Sequence, residues 1–182
     1  MVRIRVHGRG GQGGVTFAHI LCASASYEDK FGQSCMAPTV ERRGAPVEAY
    51  GRIGDKPIVE RGAILNPDIV VVLNPALATA VNLELGMSDD GTLVVNSTKD
   101  LGFKHKATYI DATPIAFKIL KLPITNTVML GAFAAATGLV SVDSLEKGAR
   151  VILSSFSKEK LNLNLEAIRA GYEEVKHGKS IH

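Results

Sequence analysis

A strand-like run, Val2-Arg3-Ile4-Arg5-Val6, passes through His7 into Gly8-Arg9-Gly10-Gly11-Gln12-Gly13-Gly14 and then into an apolar stretch of helical periodicity. Five of the seven residues from Gly8 to Gly14 are glycine. A strand, a glycine-rich turn and a helix in that order commit the start of the chain to an α/β layered domain. Glycines at such a turn admit left-handed backbone and close approach by another group. The amides at the helix start face outward, where the helix dipole favours an anion. The spacing Gly8-x-Gly10-x-x-Gly13 matches the dinucleotide fingerprint. That fingerprint also needs an acidic residue roughly 20 residues further on to bind the ribose. Gln33, Ser34, Cys35 and Met36 stand there instead, and Glu28 and Asp29 come too early. A free-standing NAD site is therefore disfavoured. The turn reads as a phosphate cradle, a contact for another polypeptide, or a tight strand-to-helix connection. Gln12 adds an amide that both donates and accepts.

The rest of the chain alternates strand-like and helix-like segments. A helix is expected over Val15 to Tyr27, with Phe17, Ile20, Leu21 and Ser24 on its inner face. Strands are expected at Gln33–Ala37, Val47–Ile53, Ile69–Leu73, Thr92–Asn96 and Thr108–Asp111. The run Ile69-Val70-Val71-Val72-Leu73 is continuously apolar, as in a parallel strand covered on both faces. Helices follow at Pro114–Lys121 and at Thr127–Thr137, the latter with Asn126 as N-cap and Gly138 as its stop. Because Thr127–Thr137 is apolar nearly all round, it belongs either in the core or at a subunit contact. Asp143 and Glu146 have capping-box spacing ahead of a helix with the stripe Leu145, Ala149, Ile152 and Phe156. A last helix carries Leu161, Leu165, Ile168, Tyr172 and Val175. With no repeat or linker, one domain over residues 1–182 is expected.

Composition narrows the function classes. The net charge of +3 gives no argument for nucleic acid, and no run is long enough to span a membrane. Arg3, Arg5, Arg9, Arg42, Arg43, Arg52 and Arg61 bias the first third of the chain towards an anionic ligand or acidic partner, or are scattered surface residues. Cys22 and Cys35 lack metal-ligand spacing, and the five histidines are dispersed. No cluster or metal site is expected, and a reducing, cytoplasmic setting fits. The second polar constellation is Pro38-Thr39-Val40-Glu41-Arg42-Arg43-Gly44-Ala45-Pro46. Its arginine forks suit phosphate or carboxylate, and the alternative is a solvated loop of salt bridges. This segment and the glycine turn are expected to leave the same ends of adjacent strands.

Taken together, His7 to Gly13, Glu41 to Pro46, Arg52-Ile53-Gly54-Asp55, Asn66-Pro67-Asp68, Asn126 to Ala132 and Asn164-Leu165-Glu166-Ala167 resemble the gamma subunit of pyruvate:ferredoxin oxidoreductase and related 2-oxoacid:acceptor oxidoreductases. The resemblance runs over essentially the whole chain. It implies a three-layer α/β/α fold with a mixed, largely parallel, Rossmann-like sheet. It also implies a non-autonomous subunit of an enzyme that oxidatively decarboxylates a 2-oxoacid, most simply of the pyruvate type. In that family thiamine diphosphate, Mg2+ and iron–sulfur clusters belong to partner subunits, coenzyme A accepts the acyl group, and ferredoxin takes the electrons. No catalytic or metal-binding residue is then expected on this chain alone. Gly8, Arg9, Gly10, Gly11, Gln12, Gly13, Glu41, Arg42 and Arg43 are expected to border the shared coenzyme A region. The alternatives are a purely structural assembly subunit and an independent nucleotide- or flavin-binding protein.

Overall fold

The structure, a computed structural model, describes residues 1–36 and 44–178. Six strands form one sheet: β1 (Val2–Arg9), β2 (Phe31–Met36), β3 (Pro46–Gly54), β4 (Ile69–Val72), β5 (Thr92–Asn96) and β6 (Lys106–Ile110). Their order is β2-β3-β1-β4-β5-β6. The β1–β4, β4–β5 and β5–β6 pairs are parallel, whereas β3 runs antiparallel to both β1 and β2. The sheet is thus mixed and largely parallel, as expected. The continuously apolar β4 lies at its centre and is buried at every residue. Side chains alternate across the sheet. Ile4 and Val6 therefore enter the core on one face, and Arg5 and His7 project to the other.

Among the described residues there are five α-helices, α1 (Gly14–Ala25) between β1 and β2, and α2 (Ala112–Leu120), α3 (Asn126–Thr137), α4 (Val142–Ile152) and α5 (Lys158–His177) after β6. All five contribute to one core with Ile4, Val6, Val71, Val94 and Ile110. On the other face Val70, Val72, Leu93, Val95 and Tyr109 pack with Leu77 and Leu83, under the 3-10 turn Pro75–Thr79 and loops. The outer layers of the expected α/β/α sandwich are therefore unequal. Parallel crossovers are right-handed, so a crossover that moves from β1 towards β2 and crossovers that move the opposite way along the sheet, from β4 to β5 and β6, must lie on opposite faces. The connection through α1 towards β2 takes one face, and the β4–β5–β6 connections take the other. The four C-terminal helices then fill the face that α1 opened.

The closest helix contact is between α3 and α5. A Cβ on Gly131 would overlap the Ile168 carbonyl oxygen, and one on Gly171 would overlap that of Val128. The two backbones therefore touch. Helix α3 is buried from Asn126 through Ala134, so its all-round apolar character reflects burial within the chain.

Two expected helix starts are corrected. Helix α3 begins at Asn126 with Thr125 in the N-cap position, because the Asn126 amide donates to the Gly13 carbonyl (3.3 Å) instead of capping. In α4 the Asp143/Glu146 box is not used, because Ser141 accepts from the Ser144 amide (3.2 Å). Glu28 in turn accepts from the Ser141 amide (2.8 Å) and hydroxyl (2.7 Å), which holds its carboxyl down at about 2. Glu146 pairs instead with Arg169 of α5. Phe156 lies beyond the end of α4 and is exposed, so it does not extend that helix's buried stripe.

Gly131→Ala should therefore push α3 from α5 and destabilise the chain by roughly 1–3 kcal/mol or more in urea denaturation. Wild-type stability in this variant would contradict the contact.

Candidate functional site

The glycine turn leaves the carboxyl end of β1, where the chain departs towards β2 on one side while β4 stands on the other, so the strand order reverses there. Open α/β sheets place ligands at such a switch point. The turn is braced from within: the Gln12 side chain accepts from the Arg9 amide (2.7 Å), and the Gln12 amide donates to the Arg9 carbonyl (3.0 Å). Gln12 thus shapes the turn rather than presenting its carbonyl to a ligand. Gly11 (φ 92°) and Gly13 (φ 78°) take left-handed backbone, which glycine alone adopts freely. Gly13 is also the N-cap of α1, and a Cβ there would overlap the Asn126 amide nitrogen. The α1 start has no side-chain cap and no acidic residue in its first turn. Its first amides and the positive end of its dipole are therefore open to an anion.

Two clefts meet at this turn and share Gly11, Gly13 and Thr16. One, of about 300 Å³, is lined by the turn itself with Arg9, Val47 and Ala49. The other, of about 490 Å³, runs along the helices past Leu120, Leu122, Ile124, Leu153, Phe156 and Lys160. Arg9 and Lys160 are the charged residues in the two linings, and no carboxylate lines either cleft among the described residues. Such a surface suits an anionic group attached to an apolar arm.

Of the residues expected here, the structure brings Gly8, Arg9, Gly10, Gly11, Gln12 and Gly13 together. Glu41, Arg42 and Arg43 lie outside the described residues. The chain that follows them returns to the turn: the Gly10 amide donates to the Ala45 carbonyl (2.9 Å), and Gly44 donates to the Gly10 carbonyl (3.3 Å). Arg9 Nη1 also donates to the Gly44 carbonyl (2.8 Å). The second strand, moreover, is not beside the first, because β3 stands between them. A dinucleotide fold pairs those strands so that an acid on the second meets the ribose. The sheet order therefore opposes that reading as the sequence does.

Beneath the turn lies a polar network that the sequence did not single out. Arg5 and His7 are only 5% and 3% exposed. Arg5 Nε donates to His7 Nε2 (3.0 Å), and its Nη2 donates to the Leu83 (3.0 Å) and Leu85 (2.8 Å) carbonyls. His7 Nδ1 stands 3.7 Å from Glu48 Oε1, while Tyr50 donates to Glu48 Oε2 (2.5 Å). An imidazole that accepts from a guanidinium at Nε2 is neutral, with its proton at Nδ1. Burial, only partly offset by Glu48, lowers its pKa to about 4. The available signal was Arg5 and His7 alternating with Ile4 and Val6, a polar face on a strand between two paired strands.

Residues 3–174 match the family described as pyruvate ferredoxin/flavodoxin oxidoreductase. The chain is 49% identical over 176 residues to pyruvate synthase subunit PorC of Methanothermobacter thermautotrophicus, covering 96% of each. It is 46% identical over 183 residues to the pyruvate/ketoisovalerate oxidoreductases common subunit gamma of Pyrococcus furiosus, covering 96% of this chain and 97% of that one. Its structure is similar to the crystal structure of pyruvate oxidoreductase subunit PORC from Thermotoga maritima. That match has a TM-score of 0.80 and 37% identity, and covers 100% of this chain and 98% of the other.

The His7 network makes a pH prediction. In the unfolded chain the imidazole returns to about 6.5, so between there and about 4 the unfolded state binds more protons and stability rises with pH. Acidifying from 6.5 to 4 should therefore cost on the order of 2–3 kcal/mol of unfolding free energy. His7→Gln, which keeps an acceptor for Arg5 but does not titrate, should flatten that slope. An equal slope in both proteins would refute the assignment.

Proposed function

Because the chain belongs to the pyruvate ferredoxin/flavodoxin oxidoreductase family, we propose that its glycine turn is the anion-holding edge of an active site completed by other subunits. The chain is a gamma-type subunit of a pyruvate-type 2-oxoacid:ferredoxin oxidoreductase. In our reading residues 1–182 act as one domain, and the turn binds the phosphates of coenzyme A, which accepts the acyl group from the decarboxylated 2-oxoacid. Gly8, Gly10, Gly11 and Gly13 let the ligand approach the backbone. The open amides of α1 supply donors, and Arg9, with Arg42 or Arg43, supplies charge. Glu41 belongs to the same edge. The observation that carries this is the uncapped, acid-free start of α1 opening on the cleft of about 300 Å³ at the switch point.

The remaining chemistry belongs on partner chains. Thiamine diphosphate with Mg2+ supplies the carbanion chemistry, and iron–sulfur clusters pass the electrons to ferredoxin. The donor set of this chain supports that division. Cys22 is buried, with its thiol pushed up to about 12 chiefly by burial. Among the described residues no group of three or more His, Cys, Asp and Glu is placed to hold a metal. Among the described residues no helix is long and apolar enough to cross a membrane. A complex of this kind fits the cytoplasm.

In the intact complex Arg9→Ala should raise KM for coenzyme A about five- to tenfold, as expected for one lost charge-assisted contact, with kcat little changed. Gly11→Ala, which strains a left-handed turn where an added Cβ meets no neighbour, should act in the same direction. An unmoved KM in both variants, with or without loss of assembly, would reassign the turn to subunit contacts.

A further inference from the structure

Arg52 on β3 carries a donor that the fold leaves unmatched. The side chain is 2% exposed. Its Nη1 donates to Gln33 Oε1 (3.1 Å) and its Nη2 to the Gly62 carbonyl (2.9 Å). The buried Nε has no hydrogen-bond partner among the described residues. A buried charged donor without an acceptor is unfavourable and calls for a reason. The half-exposed Glu60 carboxylate stands 3.8 Å from that Nε and 3.4 Å from Arg3 Nη2. It lies between two guanidiniums without closing on Arg52. These groups line a cleft of about 490 Å³ with Ile64, Leu65 and Asn66.

The surroundings are apolar as well as basic. Val59 and Leu65 are 84% and 74% exposed, and Leu85, exposed too, is carried beside Leu65 because Gly86 packs on the Leu65 carbonyl. A small free anion makes no use of such a rim, whereas protein interfaces pair arginine anchors with large apolar side chains. We propose that this cleft docks an acidic side chain of another subunit, whose carboxylate displaces that of Glu60 and closes on Arg52 Nε and Arg3. Glu60 holds the place of that carboxylate until the subunits meet. The inference rests on the chain working as a subunit and is independent of where coenzyme A binds.

The test is the rate at which this chain leaves the intact complex, measured by subunit exchange over a range of salt. Arg3→Ala should accelerate dissociation about tenfold, with a weaker salt dependence than the wild type. Glu60→Gln, which removes the competing charge, should slow dissociation several-fold. An ion pair that merely stabilises the fold would move both variants the same way, and that result overturns the proposal. In the free chain, acetate as a probe should shift the Arg52 Nε–H resonance, more so in Glu60→Gln. If only inorganic phosphate shifts it and exchange rates are unmoved, the cleft is a free-anion site and the partner is wrong. Failure of the wild-type chain to copurify with other subunits removes the subunit reading and this one with it. Copurification with unmoved variants removes this one alone.

Discussion

The direct contact of α3 with α5, backbone against backbone at Gly131 and Gly171, sets the depth at which α3 lies against the sheet. Interiors are close-packed and respond to a single added methyl, so this depth is sharply defined. It positions Asn126 at the first residue of α3, where the side-chain amide donates to the Gly13 carbonyl. Gly13 must lack a side chain for that approach, and it is also the residue that begins α1. The geometry of the glycine turn is thus fixed by a helix packed more than a hundred residues later in the chain. The C-terminal helices also line the larger cleft at this turn, bringing Asn126, Thr127, Lys160 and Asn164 to it.

The other face of the sheet is divided. Over β4, β5 and β6 it is apolar, with Val70, Val72, Leu93 and Val95 beneath loops. Over β1 and β3 it is ionic, with Arg5, His7, Tyr50 and Arg52 all buried. The register opposes Arg5 to Tyr50 and His7 to Glu48. A slip of one residue would turn these groups into the helical core and bring Ile4 and Val6 out. Buried polar groups of this kind are poor contributors to stability but strong constraints on pairing. They explain how an antiparallel strand is held without ambiguity inside a largely parallel sheet.

Much of this was legible in the sequence because it depends on local pattern. The strand–glycine–helix start, the continuous apolar β4 and the Gly138 stop of α3 are all short-range signals, and each stands where it was expected. What was not legible depends on contacts distant in sequence. Asn126 has the chemistry of an N-cap, yet Gly13 takes its amide. Asp143 and Glu146 have capping-box spacing, yet Ser141 supplies the cap and Arg169 takes Glu146. Gln12, with a free amide by composition, folds back onto Arg9. Arg5 and Arg52 are surface residues by type and buried by tertiary contacts: Leu83 and Leu85 close over Arg5, and Gln33 and Gly62 take the Arg52 guanidinium. The Glu41-Arg42-Arg43 segment lies outside the described residues; Gly44 and Ala45, which follow it, return to Gly10.

That return has a mechanical consequence. The β1–β3 ladder does not end with the strands but continues through Gly10 and Ala45 into the turn. Arg9 reaches across the same step to the Gly44 carbonyl. The two polypeptide segments are therefore tied together beyond the strands by three hydrogen bonds. A displacement of the backbone at Gly44 or Ala45 strains the hydrogen bonds of Gly10, three residues before the Gly13 cap of α1. If the turn holds an anion and a neighbouring subunit holds this edge, each biases the other by the same free energy.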